Sequence, residues 1–199
     1  IFMAREYAAL KAIALETNAG YAQPTQPVLD RVRIDSPAVD VMTDLTRLTA
    51  VIILPGDSVD EAHLRMIQRG VRLLLVVDQD RKVQGVITAN DVLGEKPVQA
   101  AVQRGVGRSE IQVRDIMTPH SALQVLEMRD VSAATVGHVV ATLKAAGRQH
   151  TLVVDRDARR GQHVSGIFSA TQIARQLGIT ITTDAVARTF ADIEATLSR

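Results

Sequence analysis

The feature that most constrains this chain is an internal repeat, in which three short motifs occur twice in the same order. The first motif is Asp-Val-Met-Thr at 40–43 and Asp-Ile-Met-Thr at 115–118. The second is an aliphatic run that ends in Val-Val-Asp, at 74–78 and 151–155, and the third is a Gly-x-x-Thr/Ser segment that begins at 85 and at 166. Because a repeat fixes the architecture before any residue has a role, we interpret the chain as two copies of one supersecondary unit.

The first copy shows the order of elements most clearly. Ser58 begins a capping box, and an apolar stripe then predicts a helix over 58–69 that Gly70 ends. The continuous aliphatic run at 73–77 predicts a buried strand, and a polar turn leads to a second strand at 83–87. A short helix follows from Thr88, so each copy is predicted to be β-α-β-β-α.

These patterns predict an α/β (or α+β) fold of two repeats around a pseudo-twofold axis, with additional helices at both ends. Each copy has about sixty residues, which is marginal for independent folding, so the copies are expected to share a core. The predicted organisation is an N-terminal helix and Pro-containing linker at 1–37, a first domain at 38–96, an inter-repeat linker at 97–112, a second domain at 113–178 and a C-terminal amphipathic helix at 179–199. The apolar face of that last helix (Val186, Phe190, Ile193 and Leu197) is expected to pack on its own core or on a second subunit.

Composition excludes several classes of function. The chain has 199 residues, 46% of them hydrophobic, and its 23 basic residues nearly balance 22 acidic ones, so no basic field is available to hold nucleic acid or an anionic membrane. Cysteine is absent, which excludes a thiol nucleophile and fits a reducing, cytoplasmic compartment. No nucleophile elbow, phosphate-binding Walker loop or zinc motif occurs, so we expect no enzyme activity and no metal site.

The repeated motifs resemble a tandem pair of cystathionine β-synthase (CBS) domains, the arrangement called a Bateman module, over about residues 38–178. That resemblance implies a regulatory sensor that binds an adenosine ligand (AMP, ADP, ATP or S-adenosylmethionine) between paired domains, with no obligatory cofactor. It also implies a homodimer that acts in trans on a regulated protein.

Thr88-Ala89-Asn90-Asp91 is the strongest candidate site, because it opens a helix directly after a strand. Thr88 supplies a hydroxyl for phosphate, and the two carboxylate oxygens of Asp91 match the two hydroxyl donors of a ribose diol. The resemblance adds an adenine slot from Val39, Met42, Thr43 and Val86, and a phosphate contact from Arg72.

The second copy offers a weaker site. Ser169 keeps the hydroxyl, but Gln172 replaces the carboxylate and has only one acceptor oxygen, so a diol is poorly matched. By resemblance its other members are Thr118, Gln149, His150 and Ile167. We therefore hypothesise that the first site is the more competent.

A different interpretation stays open at this point. Thr-x-x-Asp at the start of a helix is also a capping box, in which both side chains satisfy backbone N–H groups and bind nothing. The alternative function is then a non-catalytic structural or protein-interaction module.

Overall fold

Two four-stranded sheets, each with helices packed on its outer face, form the core of the computed structural model. The structure describes residues 31–158, residues 161–179 and Ile193, all within one compact unit at 31–199. Within them the strands are β1 Thr43–Asp44, β2 Ile52–Ile53, β3 Leu73–Val77, β4 Val83–Thr88, β5 Thr118–Pro119, β6 Val125–Glu127, β7 His150–Asp157 and β8 Gly161–Ser169. The described helices are α1 Val59–Arg69, α2 Ala89–Leu93, α3 Lys96–Arg104, α4 Val113–Ile116, α5 Met128–Ser132, α6 Val136–Ala145 and α7 Ala170–Gln176.

The two copies have the predicted order of elements, and the mixed α/β fold is confirmed. In the first copy α1 begins after Ser58, whose hydroxyl accepts from the Glu61 N–H, and it ends at Gly70 in the left-handed region (φ 63°). β3 and β4 form the expected antiparallel hairpin, as do β7 and β8 in the second copy. The predicted linker 97–112 contains most of helix α3, which ends at Gly105.

The first short strand of each repeat, β1 or β5, pairs with the sheet of the other repeat. β1 pairs antiparallel with β8, so the sheet of the second repeat has the order β1-β8-β7-β6. β5 pairs antiparallel with β4, so the sheet of the first repeat has the order β2-β3-β4-β5. Each sheet therefore contains a strand from both halves of the sequence.

Glycine makes these crossings possible. The backbone of Thr118 approaches Gly85 so closely that a Cβ there would overlap the carbonyl oxygen, and the side chain of Met42 occupies the corresponding space at Gly166. The third repeated motif begins with these two glycines, so the motif that identified the repeat also marks where the exchanged segments cross.

Three apolar clusters hold the fold together. One lies under the helices of the first repeat and includes Leu74 and Ile87, and another lies under those of the second and includes Phe168. The third joins the inner faces of the two sheets through Leu73, Leu75, Val77, Val86 and Leu152. Residues alternate along β3, so Leu74 and Val76 face the helices whereas Leu73, Leu75 and Val77 face the opposite sheet.

The residues before the first repeat pack on the second repeat. The Val32 N–H donates to the Gln176 carbonyl at 3.1 Å, and Ile34 packs against the cluster around Phe168. Ile179 and Ile193 are buried in that same cluster, and the other residues of the predicted C-terminal helix lie outside the described residues, as do residues 1–30, which include the predicted N-terminal helix. No helix among the described residues is long and apolar enough to cross a membrane.

Candidate functional site

A cleft between the two repeats contains the first candidate tetrad. It has a volume of about 230 Å³ and lies where β3 and β7 begin and β4 ends; we call it the inter-repeat cleft. Its lining residues are Leu73, Val86, Thr88, Asn90, Asp91, Thr118, Leu123, Gln124, Gly147, Arg148, Gln149, His150, Thr151 and Leu152. Both copies thus contribute to one cleft.

The Thr88–Asp91 pair forms a complete capping box at the start of α2. The Thr88 N–H and hydroxyl donate to Asp91 Oδ2 at 2.8 and 2.7 Å, and the Asp91 N–H donates to Thr88 Oγ1 at 3.3 Å. Asp91 is 8% exposed, so this pairing holds its carboxylate in a defined position at the wall of the cleft. The pair satisfies the backbone of α2 as the alternative interpretation requires, and it also faces a cavity.

Lys96, which the sequence did not suggest as a site residue, pairs with the other oxygen of this carboxylate. Its ammonium lies 2.5 Å from Asp91 Oδ1 and also donates to the Ile116 carbonyl at 3.3 Å. Lys96 follows Asp91 by five residues at the start of α3, and Leu177 stands at the same spacing after Gln172. Because the second copy has no lysine there, the repeat gave no signal for this ion pair.

His150 lies at the opposite wall of the cleft. Burial and, secondarily, the positive charge of Arg72 lower the pKa of His150 to about 4, although Asp91 acts in the opposite direction. The imidazole is therefore neutral at neutral pH and provides one donor and one acceptor. In the first repeat Leu73 stands at the matching position, so this polar group is particular to the second repeat.

Arg148 is a second cationic side chain that the sequence did not suggest as a site residue. It lines the cleft, is half-buried, and its Nη2 lies 3.5 Å from the Ala122 carbonyl. The residue at the equivalent place in the first copy is Val71, so comparison of the copies could not identify it. Leu123 and Gln124 were missed because they lie in the irregular segment that follows β5.

The structure corrects how the predicted site residues are grouped. Val39, Met42 and Thr43 were assigned to the site at Thr88, but they accompany the second repeat: Thr43 pairs with Ile167, Met42 packs on Gly166, and Val39 is 41% exposed. The corresponding exchange brings Thr118 opposite Val86.

The predicted phosphate contacts are also grouped differently from the prediction. Gln149 and His150, assigned to the second site, line the inter-repeat cleft beside Thr88 and Asp91. Arg72 is not among the lining residues, and its guanidinium reaches the cleft through Asn90, whose Oδ1 lies 3.5 Å from Nη2. The physical reason is that the two sheets pack face to face, so the residues at the start of β7 lie beside the end of β4.

The second tetrad is held more loosely. The Gln172 N–H lies 3.5 Å from Ser169 Oγ, and the Gln172 side-chain oxygen accepts from Thr43 Oγ1 at 3.4 Å. Gln172 therefore contacts the strand that crosses from the first copy.

Metal binding has no support within the described ranges, which contain no cluster of three or more His, Cys, Asp or Glu side chains suited to a metal ion. The described histidines also lack mutual contacts of that kind. This finding concerns only residues 31–158, 161–179 and Ile193.

Comparison with known proteins identifies the class. A protein-family profile described as CBS domain matches residues 38–97, and a search of curated proteins finds no match. The two-sheet architecture matches solved structures of CBS pairs. Residues 38–97 thus match the CBS-domain family, and the chain has the fold of a tandem CBS pair, which confirms the resemblance drawn from the repeated motifs.

Three solved structures illustrate the likeness. A conserved protein from Pyrococcus horikoshii aligns with 22% identity over 77% of this chain and 100% of that chain, with a TM-score of 0.54. CBSX2 of Arabidopsis thaliana, crystallised with AMP, aligns with 23% identity over 70% and 94%, with a TM-score of 0.50. The CBS domain pair of protein MJ0100, crystallised with 5′-methylthioadenosine and S-adenosyl-L-methionine, aligns with 21% identity over 73% and 98%, with a TM-score of 0.50. At these identities the likeness shows the fold.

Proposed function

We propose that this chain is a regulatory module that binds an adenosine nucleotide in the inter-repeat cleft and acts on a partner protein. The observation that carries the proposal is the composition of the cleft, in which Thr88 and Asp91 of one repeat face Arg148 and His150 of the other across one cavity. A ligand in that cavity contacts both repeats at once, so its binding stabilises one arrangement of the pair over others. The complexes of CBSX2 with AMP and of MJ0100 with S-adenosyl-L-methionine support the choice of ligand class.

Each part of a nucleotide has a suitable partner in the cleft. The apolar side chains of Leu73, Val86 and Leu152 provide the flat slot that adenine needs, and Asp91 accepts from ribose hydroxyls. Arg148 supplies a permanent positive charge for phosphate. A cavity of about 230 Å³ is smaller than the ~300–1,000 Å³ of pockets that enclose drug-sized ligands, so the phosphates of a nucleotide extend towards solvent.

Thermal unfolding with AMP, ADP, ATP and S-adenosylmethionine tests this proposal. A ligand at 100 times its dissociation constant adds about 2.7 kcal/mol, or roughly 5–10 °C for a unit of this size. We expect such a shift for at least one ligand with the wild type, and its loss in Asp91→Asn and Arg148→Ala. Asp91→Asn is preferred to Asp91→Ala because the remaining amide oxygen still accepts the cap hydrogen bonds.

Asp130→Asn is the matched control, since Asp130 is an exposed carboxylate paired with Arg129 on α5, away from the cleft. It should leave the ligand shift unchanged. Absence of any shift, in protein shown by absorbance to carry no nucleotide, would contradict the nucleotide-binding proposal.

That result would favour a second function, a protein-interaction module that binds no nucleotide. The specific observation in its favour is that both oxygens of the Asp91 carboxylate already have partners, Thr88 and Lys96. A ribose hydroxyl must therefore share or displace the lysine. Lys96→Met separates the two functions, because it should tighten nucleotide binding if the lysine competes and should only alter stability if α2 is merely capped.

We further propose that the two candidate sites, at Thr88–Asp91 and at Ser169–Gln172, are unequal and that one nucleotide binds per chain. Gln172 provides one acceptor oxygen, and that oxygen already accepts from Thr43. Isothermal titration calorimetry should give a stoichiometry near one per chain, and two equivalent sites would overturn this part of the proposal.

The remaining parts of the proposed function are a homodimer, a cytoplasmic location and the absence of catalysis. The lack of cysteine supports the reducing compartment. Light scattering of the purified chain measures its molar mass in solution, which should be twice that of one chain if it is a homodimer. Release of adenosine or phosphate from bound nucleotide, at a rate that follows the wild type and is lost in Asp91→Asn, would overturn the non-catalytic assignment.

A further inference from the structure

A larger groove opens at the other end of the contact between the two sheets. It has a volume of about 1530 Å³ and lies towards the β3–β4 turn and the start of β8, whereas the inter-repeat cleft lies where β3 and β7 begin. Its floor consists of Leu75 and Val77 from β3 and Leu152 and Val154 from β7, all of which are 6% exposed or less. We call this feature the hairpin groove.

The rim of the hairpin groove carries an excess of positive charge. Arg69 ends α1, and Arg81 and Lys82 lie in the β3–β4 turn; the side chains of all three form no ion pair within the described ranges. The same turn has two carboxylates: Asp80 lines the groove, whereas Asp78 accepts hydrogen bonds from the Asp80 and Lys82 N–H groups and from the Gln84 side chain. Arg81 has a φ of 61°, a backbone conformation that glycine or asparagine adopts more easily, so this turn holds a cationic side chain at an unfavourable backbone position.

The other charged groups on the rim neutralise one another. Arg65 donates to Glu61 at 2.8 Å and to the Ile52 carbonyl, and Arg47 lies 3.6 Å from Asp44. Among the described side chains that line the groove, three cations without an ion pair therefore remain beside one carboxylate, Asp80, although the whole chain has a net charge of only +1. The positive field is a local property of this end of the molecule.

The size of the groove and the placement of its charges on two elements indicate a polypeptide as the occupant. Its volume exceeds the ~300–1,000 Å³ of pockets for small molecules, and its cations lie on both α1 and the β3–β4 turn. We propose that the hairpin groove binds an acidic, amphipathic segment of a partner protein, with apolar side chains on the floor and carboxylates at Arg69, Arg81 and Lys82. The hairpin groove and the inter-repeat cleft share Leu123 and Leu152, but the charged rim residues line only the groove, so failure of this inference leaves the proposed nucleotide site untouched.

Selection of short random peptides on the immobilised full chain tests the proposal. The selected peptides should combine Asp or Glu with apolar residues, and their affinity, measured by fluorescence anisotropy, should fall as salt rises. The triple variant Arg69→Glu, Arg81→Glu, Lys82→Glu should weaken binding by about tenfold or more, because charge reversal at a rim converts attraction into repulsion. Leu48→Ser, which removes a groove side chain that is 59% exposed, should also weaken binding without unfolding the chain.

The matched control reverses the charge of three exposed basic residues outside the groove, Arg108, Arg114 and Arg175, and should change peptide affinity by less than about twofold.

Selected peptides without acidic residues, or equal peptide affinity for the wild type and the triple variant, would overturn the proposal. A change of the triple variant from dimer to monomer in light scattering would also overturn it, since the occupant would then be a second copy of this chain. AMP titration of the triple variant distinguishes failure of the groove proposal from failure of the nucleotide proposal, because the variant should bind nucleotide as the wild type does.

Discussion

The helices that follow the two hairpins, α2 and α7, start from equivalent motifs but are held in different ways. In the first repeat Asp91 accepts from Thr88 at 2.7 and 2.8 Å and from Lys96 at 2.5 Å. In the second, Gln172 lies 3.5 Å from Ser169 Oγ and contacts Thr43 instead. The comparison teaches that the fold keeps a hydroxyl as the cap of this helix in both repeats, while the reciprocal carboxylate bond and the charge that a ligand would meet there are lost in the second.

The comparison of the two cores gives the largest expected effect. Phe168 and Ile87 occupy matching positions and are both fully buried, in separate clusters that the third cluster joins. Phe168→Ala should cost about 3–5 kcal/mol and Ile87→Ala about 2–5 kcal/mol. Because the sheets share their inner faces, each change should lower the midpoint of one common urea transition, whereas two separate transitions would show that the repeats unfold independently.

The free energy of unfolding should depend on pH through His150, whereas Leu73, at the matching position of the first repeat, has no titratable group. The pKa of His150 is about 4 in the folded chain and near 6.5 when unfolded, so the unfolded state takes up a proton first as the pH falls. Stability from this group is complete above pH 6.5 and falls by up to about 3 kcal/mol between pH 6.5 and 4.

His150→Leu, which makes the second repeat match the first at this position, should remove that part of the acid loss in urea titrations at pH 7 and pH 5. His120→Gln, at an exposed histidine, is the control and should keep the wild-type slope. An equal loss in His150→Leu and the wild type would contradict the proposed burial effect.

The two glycines at the crossing segments should differ as well. A Cβ on Gly85 meets the backbone of Thr118, whereas on Gly166 it meets the side chain of Met42, which can rotate away. Gly85→Ala should therefore cost about 1–3 kcal/mol and Gly166→Ala less. Thr118 also lines the inter-repeat cleft, so Gly85→Ala should weaken nucleotide binding and Gly166→Ala should not. Equal effects in calorimetry and binding would indicate that both crossings tolerate the same displacement.

Much of this fold could be predicted from the sequence because its signals are local. The helix start at Ser58, the aliphatic run at 73–77 and the turn that follows all depend on a few neighbouring residues, and all were confirmed. Of the capping box predicted at Ser58, the structure has the bond from the Glu61 N–H to the Ser58 hydroxyl, whereas the Glu61 carboxylate pairs with Arg65. The candidate site was predicted only in part. Thr88, Asp91 and Val86 lie together, but Met42 and Thr118 exchange partners because β1 and β5 cross between sheets.

Lys96 and Arg148 show why the rest could not be predicted. Each contacts the site through a position that the other copy fills with an apolar residue, Leu177 or Val71, so the repeat carried no sign of them. Their role depends on tertiary packing of α3 and of the turn before β7, which no local pattern encodes. An ion pair such as Lys96–Asp91 can be identified only from the three-dimensional arrangement of α2 and α3.

The smallest expected effect tests whether the two caps differ in strength. Removal of an N-cap hydroxyl typically costs about 1 kcal/mol, with a range of roughly 0.5–2. Thr88→Ala should lie at the upper end, because it removes the hydroxyl that both donates to Asp91 Oδ2 and accepts the Asp91 N–H. Ser169→Ala should lie at the lower end, since the Gln172 N–H lies 3.5 Å from Ser169 Oγ.

The midpoints of urea unfolding measure the difference between the two caps. The control is Thr88→Ser, which keeps the hydroxyl and should retain most of the stability that Thr88→Ala loses. If Ser169→Ala costs as much as Thr88→Ala, the two helix starts are equally well capped, and the distinction between the repeats rests on the charge of Asp91 alone.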